Sequence, residues 1–162
     1  MPTDRDEARS KEDEAERLDR ELVELLQELR VAIPGVQVLF GFLLTVPFQQ
    51  GFRRITEFQE YVYFVTLLLT AAATVFLIAP TAYHRIMFRA RDKPRLIRMA
   101  TAQALTGLAF LALALNGAIL LITDLLFEET TVIAIVAISA VTFAWLWFGL
   151  GLSRRIRKDS TW

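Results

Sequence analysis

The chain contains no cysteine and one histidine, His84. The first absence excludes disulfides, thiolate metal sites and cysteine nucleophiles, and the second leaves no imidazole constellation for a zinc site. Glycine is sparse, seven in 162 residues, and dispersed rather than gathered into a phosphate-cradling loop. None of GxSxG, GxxxxGK[ST], HExxH or GxGxxG occurs. No catalytic residue, metal or cofactor is therefore expected, and the chain reads as a non-enzyme. Net charge is zero, so the overall balance points to neither nucleic acid nor a polyanionic partner. The first thirty residues are rich in Glu and Asp and hold no apolar run, so no cleavable secretory signal is expected. No repeat or long polar linker divides the sequence, which makes one compact unit the default.

What is abundant is apolar. Hydrophobic residues reach 54% while charged residues still make up 22%, so the charges must be segregated along the chain. Four stretches, 31–48, 61–83, 97–122 and 131–152, are about as long as the ~20 apolar residues that cross a bilayer, and their only charge is Arg98 at the edge of the third. Gln103 and Asn116 oppose insertion of the third, but its Leu, Ile and Phe residues outweigh two amides. The expected fold is all-α: an integral membrane, up-down-up-down antiparallel four-helix bundle over 31–152, preceded by an acidic, partly helical arm over 1–30 and followed by a basic tail over 153–162.

Orientation follows from the basic residues. Arg5, Arg9, Lys11, Arg17, Arg20 and Arg30 precede the first stretch, Arg85, Arg89, Arg91, Lys93, Arg95 and Arg98 lie around the second loop, and Arg154, Arg155, Arg157 and Lys158 follow the fourth. Only Arg53 and Arg54 fall elsewhere, and the third loop holds Asp124, Glu128 and Glu129 without a cation. This bias places both termini on the cytoplasmic side. Tyr61 and Tyr63 at the outer end of the second stretch, and Tyr83 at its inner end, suit an interfacial belt; Trp145 and Trp147 lie deeper, filling packing space or facing lipid. Pro34, Pro47 and Pro80 are the expected helix breaks, because proline lacks the N–H and crowds the preceding turn.

Within the arm, Ala15, Leu18, Leu22, Leu25 and Leu29 alternate steps of three and four, and Asp13 with Arg17 and Glu16 with Arg20 are favourable pairs four apart. This seam suits a solvated helix that steadies the first stretch, a short coiled coil with a second copy, or a docking arm for another protein. Inside the apolar stretches, Gln37, Gly41, Thr45 and Gln49 recur every fourth residue, as do Thr66, Thr70 and Thr74. Gln103, Gly107, Ala114 and Gly117 mark the third stretch, and Ala140, Ala144 and Gly151 the fourth. Facing inward, these stripes pack closely and hydrogen-bond between helices, or, with Gln37, Thr45, Thr70, Gln103 and Asn116, line a polar path. A proton- or sodium-coupled path ordinarily needs a membrane-embedded ionisable group, and the nearest carboxylates, Glu57, Glu60 and Asp124, are interfacial. Glu28, Arg30, His84, Arg85 and Arg89 are candidates for an ionic cluster at the cytoplasmic rim, either an anchor or a pH- or headgroup-sensitive site.

Residues 24–48, ELLQELRVAIPGVQVLFGFLLTVPF, and 77–89, LIAPTAYHRIMFR, carry a resemblance to a known family. The chain, from about Arg17 to the end of the fourth stretch, resembles a bacterial family of small four-helix membrane proteins catalogued as a domain of unknown function. The resemblance implies residence in the bacterial cytoplasmic membrane. It implies a transport hypothesis through the sodium:proton antiporter label that some members carry. The matching strings single out Gln27, Glu28, Arg30, Pro34, Gln37, His84 and Arg85. The leading expectation is a non-catalytic structural or accessory subunit with the lipid bilayer as its medium, self-associating through the arm or the bundle and binding no nucleic acid. The alternative is a small transporter or ion pathway.

Overall fold

The computed structural model describes residues 4–87 and 93–149. Among the described residues every regular element is helical. Helix α1 is Asp4–Thr45, α2 is Glu57–Met87, α3 is Lys93–Leu126 and α4 is Glu129–Phe143, which continues as a π-helical segment, Ala144–Gly149. Two 3-10 turns, Val46–Phe48 and Gln50–Arg54, join α1 to α2. Four helical stretches are long and apolar enough to cross a membrane: Glu16–Phe48, Glu57–Ala82, Ile97–Leu126 and Glu129–Trp147. Even the shortest, at 19 residues, extends about 28 Å at 1.5 Å per residue, close to a hydrocarbon core of about 30 Å.

The arm and the first apolar stretch are one helix of 42 residues. Its seam does not stop where the arm ends: Leu29, Val36 and Leu43 are buried, and Leu18, Leu25, Ala32 and Leu39 are half-buried between them. The three-four alternation thus carries from acidic sequence into apolar sequence without a phase change. Neither Pro34 nor Pro80 ends its helix, since α1 and α2 run through both. Each proline deletes one N–H donor, and a long helix with intact turns on either side absorbs a single lost bond. Pro47 does mark an end. It sits in the first turn of the 3-10 segment, where its fixed φ suits the geometry, and Gln49 beyond it is extended (φ −78°, ψ 142°).

A capping box starts α2. The Thr56 N–H donates to Gln59 Oε1 (3.1 Å) and the Gln59 N–H to Thr56 Oγ1 (3.2 Å), which satisfies two donors that a helix N-terminus otherwise leaves open. At the start of α4, Glu128 is extended (φ −72°, ψ 155°) and its carbonyl accepts from the N–H groups of Thr131 (2.9 Å) and Val132 (3.1 Å). Glu128 and Glu129 also set negative charge at the positive end of the helix dipole.

Two compact units divide the chain, Met1–Phe42 with Ala71–Ala109, and Leu43–Thr70 with Phe110–Trp162. In the first, Leu29 and Val36 of α1, Ala73 and Leu77 of α2, and Ala100 and Ala104 of α3 are buried. Small residues let backbones approach there. A Cβ added at Gly107 would stand 2.8 Å from Leu77 Cγ and 3.1 Å from the Leu77 backbone nitrogen. In the second unit Leu43, Leu111, Ala114, Leu121 and Val132 form the apolar core, and Gln59, Thr66, Thr70 and Thr123 are buried with them.

Candidate functional site

The best-defined polar constellation lies in the second unit and begins with Gln59. This side chain is 7% exposed; its Oε1 completes the capping box and its Nε2 donates to Asp124 Oδ2 at 2.8 Å, linking α2 to α3. One turn on, Tyr63 is 6% exposed and its hydroxyl donates to the Leu43 carbonyl at 2.9 Å. That carbonyl lacks its usual helical donor, because the residue four positions later is Pro47. The proline therefore creates the acceptor that the tyrosine fills. Phe52 packs edge-on against the same ring, centroids 5.1 Å apart at 75°.

Further along α2 the threonine hydroxyls turn back on their own helix. Thr66 Oγ1 donates to the Val62 carbonyl (2.7 Å) and Thr70 Oγ1 to the Thr66 carbonyl (2.8 Å). Thr66 also faces Gly117, where an added Cβ would overlap its hydroxyl. From Gln59–Asp124 to Thr66–Gly117 the contacts advance seven residues along α2 and retreat seven along α3, so these two segments of the unit run in opposite directions. Next to Gly117, Asn116 Nδ2 donates to the Ala112 carbonyl (3.1 Å), and its Oδ1 accepts from Ser139 Oγ (2.6 Å), joining α3 to α4.

Within the second unit these bonds join α1 to α2, α2 to α3 and α3 to α4. The carboxylate among these groups, Asp124, faces the Gln59 amide. Among the described residues no group of three or more His, Asp or Glu side chains is placed to hold a metal ion.

The residues singled out from sequence are distributed as follows. Thr70 is fully buried, and Gln103 and Asn116 are half-buried, so the stripes of the second and third stretches do face inward. The stripe of the first does not: Gln37, Gly41, Thr45 and Gln49 are exposed, because the apolar heptad seam occupies the covered side of α1. Ala140 and Ala144 of the fourth stretch are exposed as well, while Val132 and Ser139 turn inward. Of the rim cluster, Glu28 and Arg30 are exposed and, two residues apart, point to opposite sides of α1. His84 and Arg85 lie on α2 with side chains outside the described set, and Arg89 lies outside the described residues.

Tyr61 is exposed as an interfacial ring would be, but Tyr63 is buried and belongs to the clasp rather than a belt. Trp145 is exposed, and Trp147 meets Phe143 edge-on at 5.3 Å. Gln59 and Ser139 had no part in the sequence reading. Thr-x-x-Gln before an apolar run was the local signal for the first, and nothing local marks the second. In the first unit, a groove of about 400 Å³ is lined by Leu26, Arg30, Ile33, Pro34 and Thr81.

Four helices of bilayer-crossing length, with side-chain hydrogen bonds from Gln59, Tyr63 and Ser139 to neighbouring helices, define a protein of the membrane-compatible class that is all-helical among the described residues. Residues 11–151 match the model for a family of unknown function, DUF6328, and the chain belongs to that family. The match includes both strings that carried the resemblance and extends it toward the N-terminus. No curated protein and no solved structure matches the chain.

Proposed function

We propose that the chain is a multi-pass protein of the cytoplasmic membrane whose four stretches form an antiparallel bundle, and that it serves as a non-catalytic subunit assembling with further copies of itself through α1. Both termini and the second loop lie on the cytoplasmic side in this reading, as the distribution of Arg and Lys requires. The supporting observation is the outward face of α1. Gln37 is exposed within the apolar stretch, and a Cβ added at Gly41, one turn on along the same face, would meet nothing within 4 Å. An amide facing hydrocarbon is unfavourable, and the glycine one turn on lets another helix come close enough to hydrogen-bond with it. A second copy brings the same amide to the same depth.

The arm supports the same reading. Leu18 and Leu25 continue the seam of Leu29 and Val36 yet are only half-covered, which leaves apolar surface for a neighbouring arm. A common polar path is the weaker reading: Gln37 and Thr45 face outward, and the polar atoms of Asn116 are already engaged by Ala112 and Ser139.

The test is the mass of the purified full-length protein in mild detergent by light scattering. The wild type should exceed one copy, while Gln37→Leu and a chain lacking residues 1–30 should each lower the mass without preventing insertion. A monomeric wild type, or a mass indifferent to both changes, overturns the proposal. Vesicles of the pure protein should show no flux under a sodium or pH gradient.

A further inference from the structure

We propose that the groove between α1 and α2 in the first unit binds the head group of a phosphate-bearing amphiphile, with Arg30 as the anion-recognising residue. The inference rests on the bilayer reading above. Arg30 is the last charged residue of α1 before the apolar stretch 31–48, so its guanidinium belongs where hydrocarbon gives way to the polar layer. Among the described residues it has no ion-pair partner; the ion pair of α1 is Arg17–Glu21, at 2.9 Å. The neighbours three and four positions away on the helix, Leu26, Gln27, Ile33 and Pro34, carry no charge. A guanidinium left without a carboxylate in this setting is matched by phosphate, which accepts two parallel N–H bonds from its fork.

Pro34 adds a second recognition element. Its missing N–H leaves the Arg30 carbonyl without the donor that position 34 would otherwise supply, so one residue carries both a donor fork and an acceptor short of its usual helical partner. That combination fits a head group in which a hydroxyl or ammonium donor sits beside the phosphate. Thr81 contributes a third polar contact from α2, and Leu26 and Ile33 supply apolar wall for the first acyl carbons. The volume of about 400 Å³ is near the lower end of ligand pockets, which suits a head group rather than an entire two-chain lipid.

Binding to the delipidated full-length protein in neutral detergent tests this, with dioctanoyl phosphatidylglycerol, dioctanoyl phosphatidylcholine and inorganic phosphate as probes. Phosphatidylglycerol should bind at least about tenfold more tightly than either other probe, and Arg30→Gln should weaken its binding about tenfold, the size expected for one charge-assisted contact. Thr81→Trp, which fills the groove and keeps the charge, should weaken binding similarly. Arg20→Gln, on the arm away from the groove, should leave it unchanged.

Equal loss in the Arg20 variant would show diffuse attraction and overturn the site. So would wild-type affinity in both groove variants. Inorganic phosphate binding as tightly as the lipid would overturn the amphiphile assignment and leave a simple anion site. Membrane extraction of each variant is followed in parallel: a protein found in the bilayer with an indifferent groove overturns this inference alone, whereas one released without detergent overturns the reading beneath it.

Discussion

Pro47 removes the N–H that would pair with the Leu43 carbonyl, and Tyr63 brings a hydroxyl to the same oxygen. Tyr63→Phe should therefore cost about 1 kcal/mol in reversible unfolding in mixed micelles. The cost should shrink when the same change is made in a Pro47→Ala background, where residue 47 regains its donor; an equal cost in both backgrounds would separate the two residues. Gly117 makes a second forecast at this scale. Gly117→Ala should destabilise by about 1–3 kcal/mol through overlap with the Thr66 hydroxyl, and Thr66→Ala should recover part of the loss in the double variant. Neither pairing is legible from the chain alone. Tyr61 and Tyr63 look equivalent in a sequence, and only the position of the Leu43 carbonyl separates an exposed ring from a buried one.

Helices were the most legible elements, because apolar runs of this length have few other stable forms. Their faces were harder to read. Small and polar residues four apart define a stripe without saying which side is covered, and in α1 the competing seam of Leu29, Val36 and Leu43 decided it the other way. Pro34 and Pro80 do not end their helices for a related reason, since one missing donor does not outweigh the turns around it. Element-level clasps can be measured. Asn116→Leu combined with Ser139→Ala should show a coupling of about 0.6 kcal/mol in a double-mutant cycle, the usual scale for a hydrogen bond between helices in a bilayer. Thr56→Ala should remove the capping box and cost about 1 kcal/mol, detectable as earlier amide exchange over the first turn of α2.

For the whole molecule, the strongest sequence signal is the sorting of cations around the apolar stretches, and it yields a topology testable without purification. Reporter fusions after residue 90 should report the cytoplasm and fusions after residue 127 the opposite side; the reverse pattern would invert the proposed orientation. How helices meet was less visible, because Gln59–Asp124 and Asn116–Ser139 join residues far apart in the chain. The family match covers 11–151 and therefore takes in most of the arm together with the apolar stretches.

The unbroken α1 has a geometric consequence. A helix that runs without interruption holds both halves in one helical phase, about 100° per residue, from the acidic sequence into the apolar. Adding one alanine after Arg30 would turn the two halves about 100° out of phase, whereas adding seven residues would bring them back within about 20°. Arm and first stretch thus share one register.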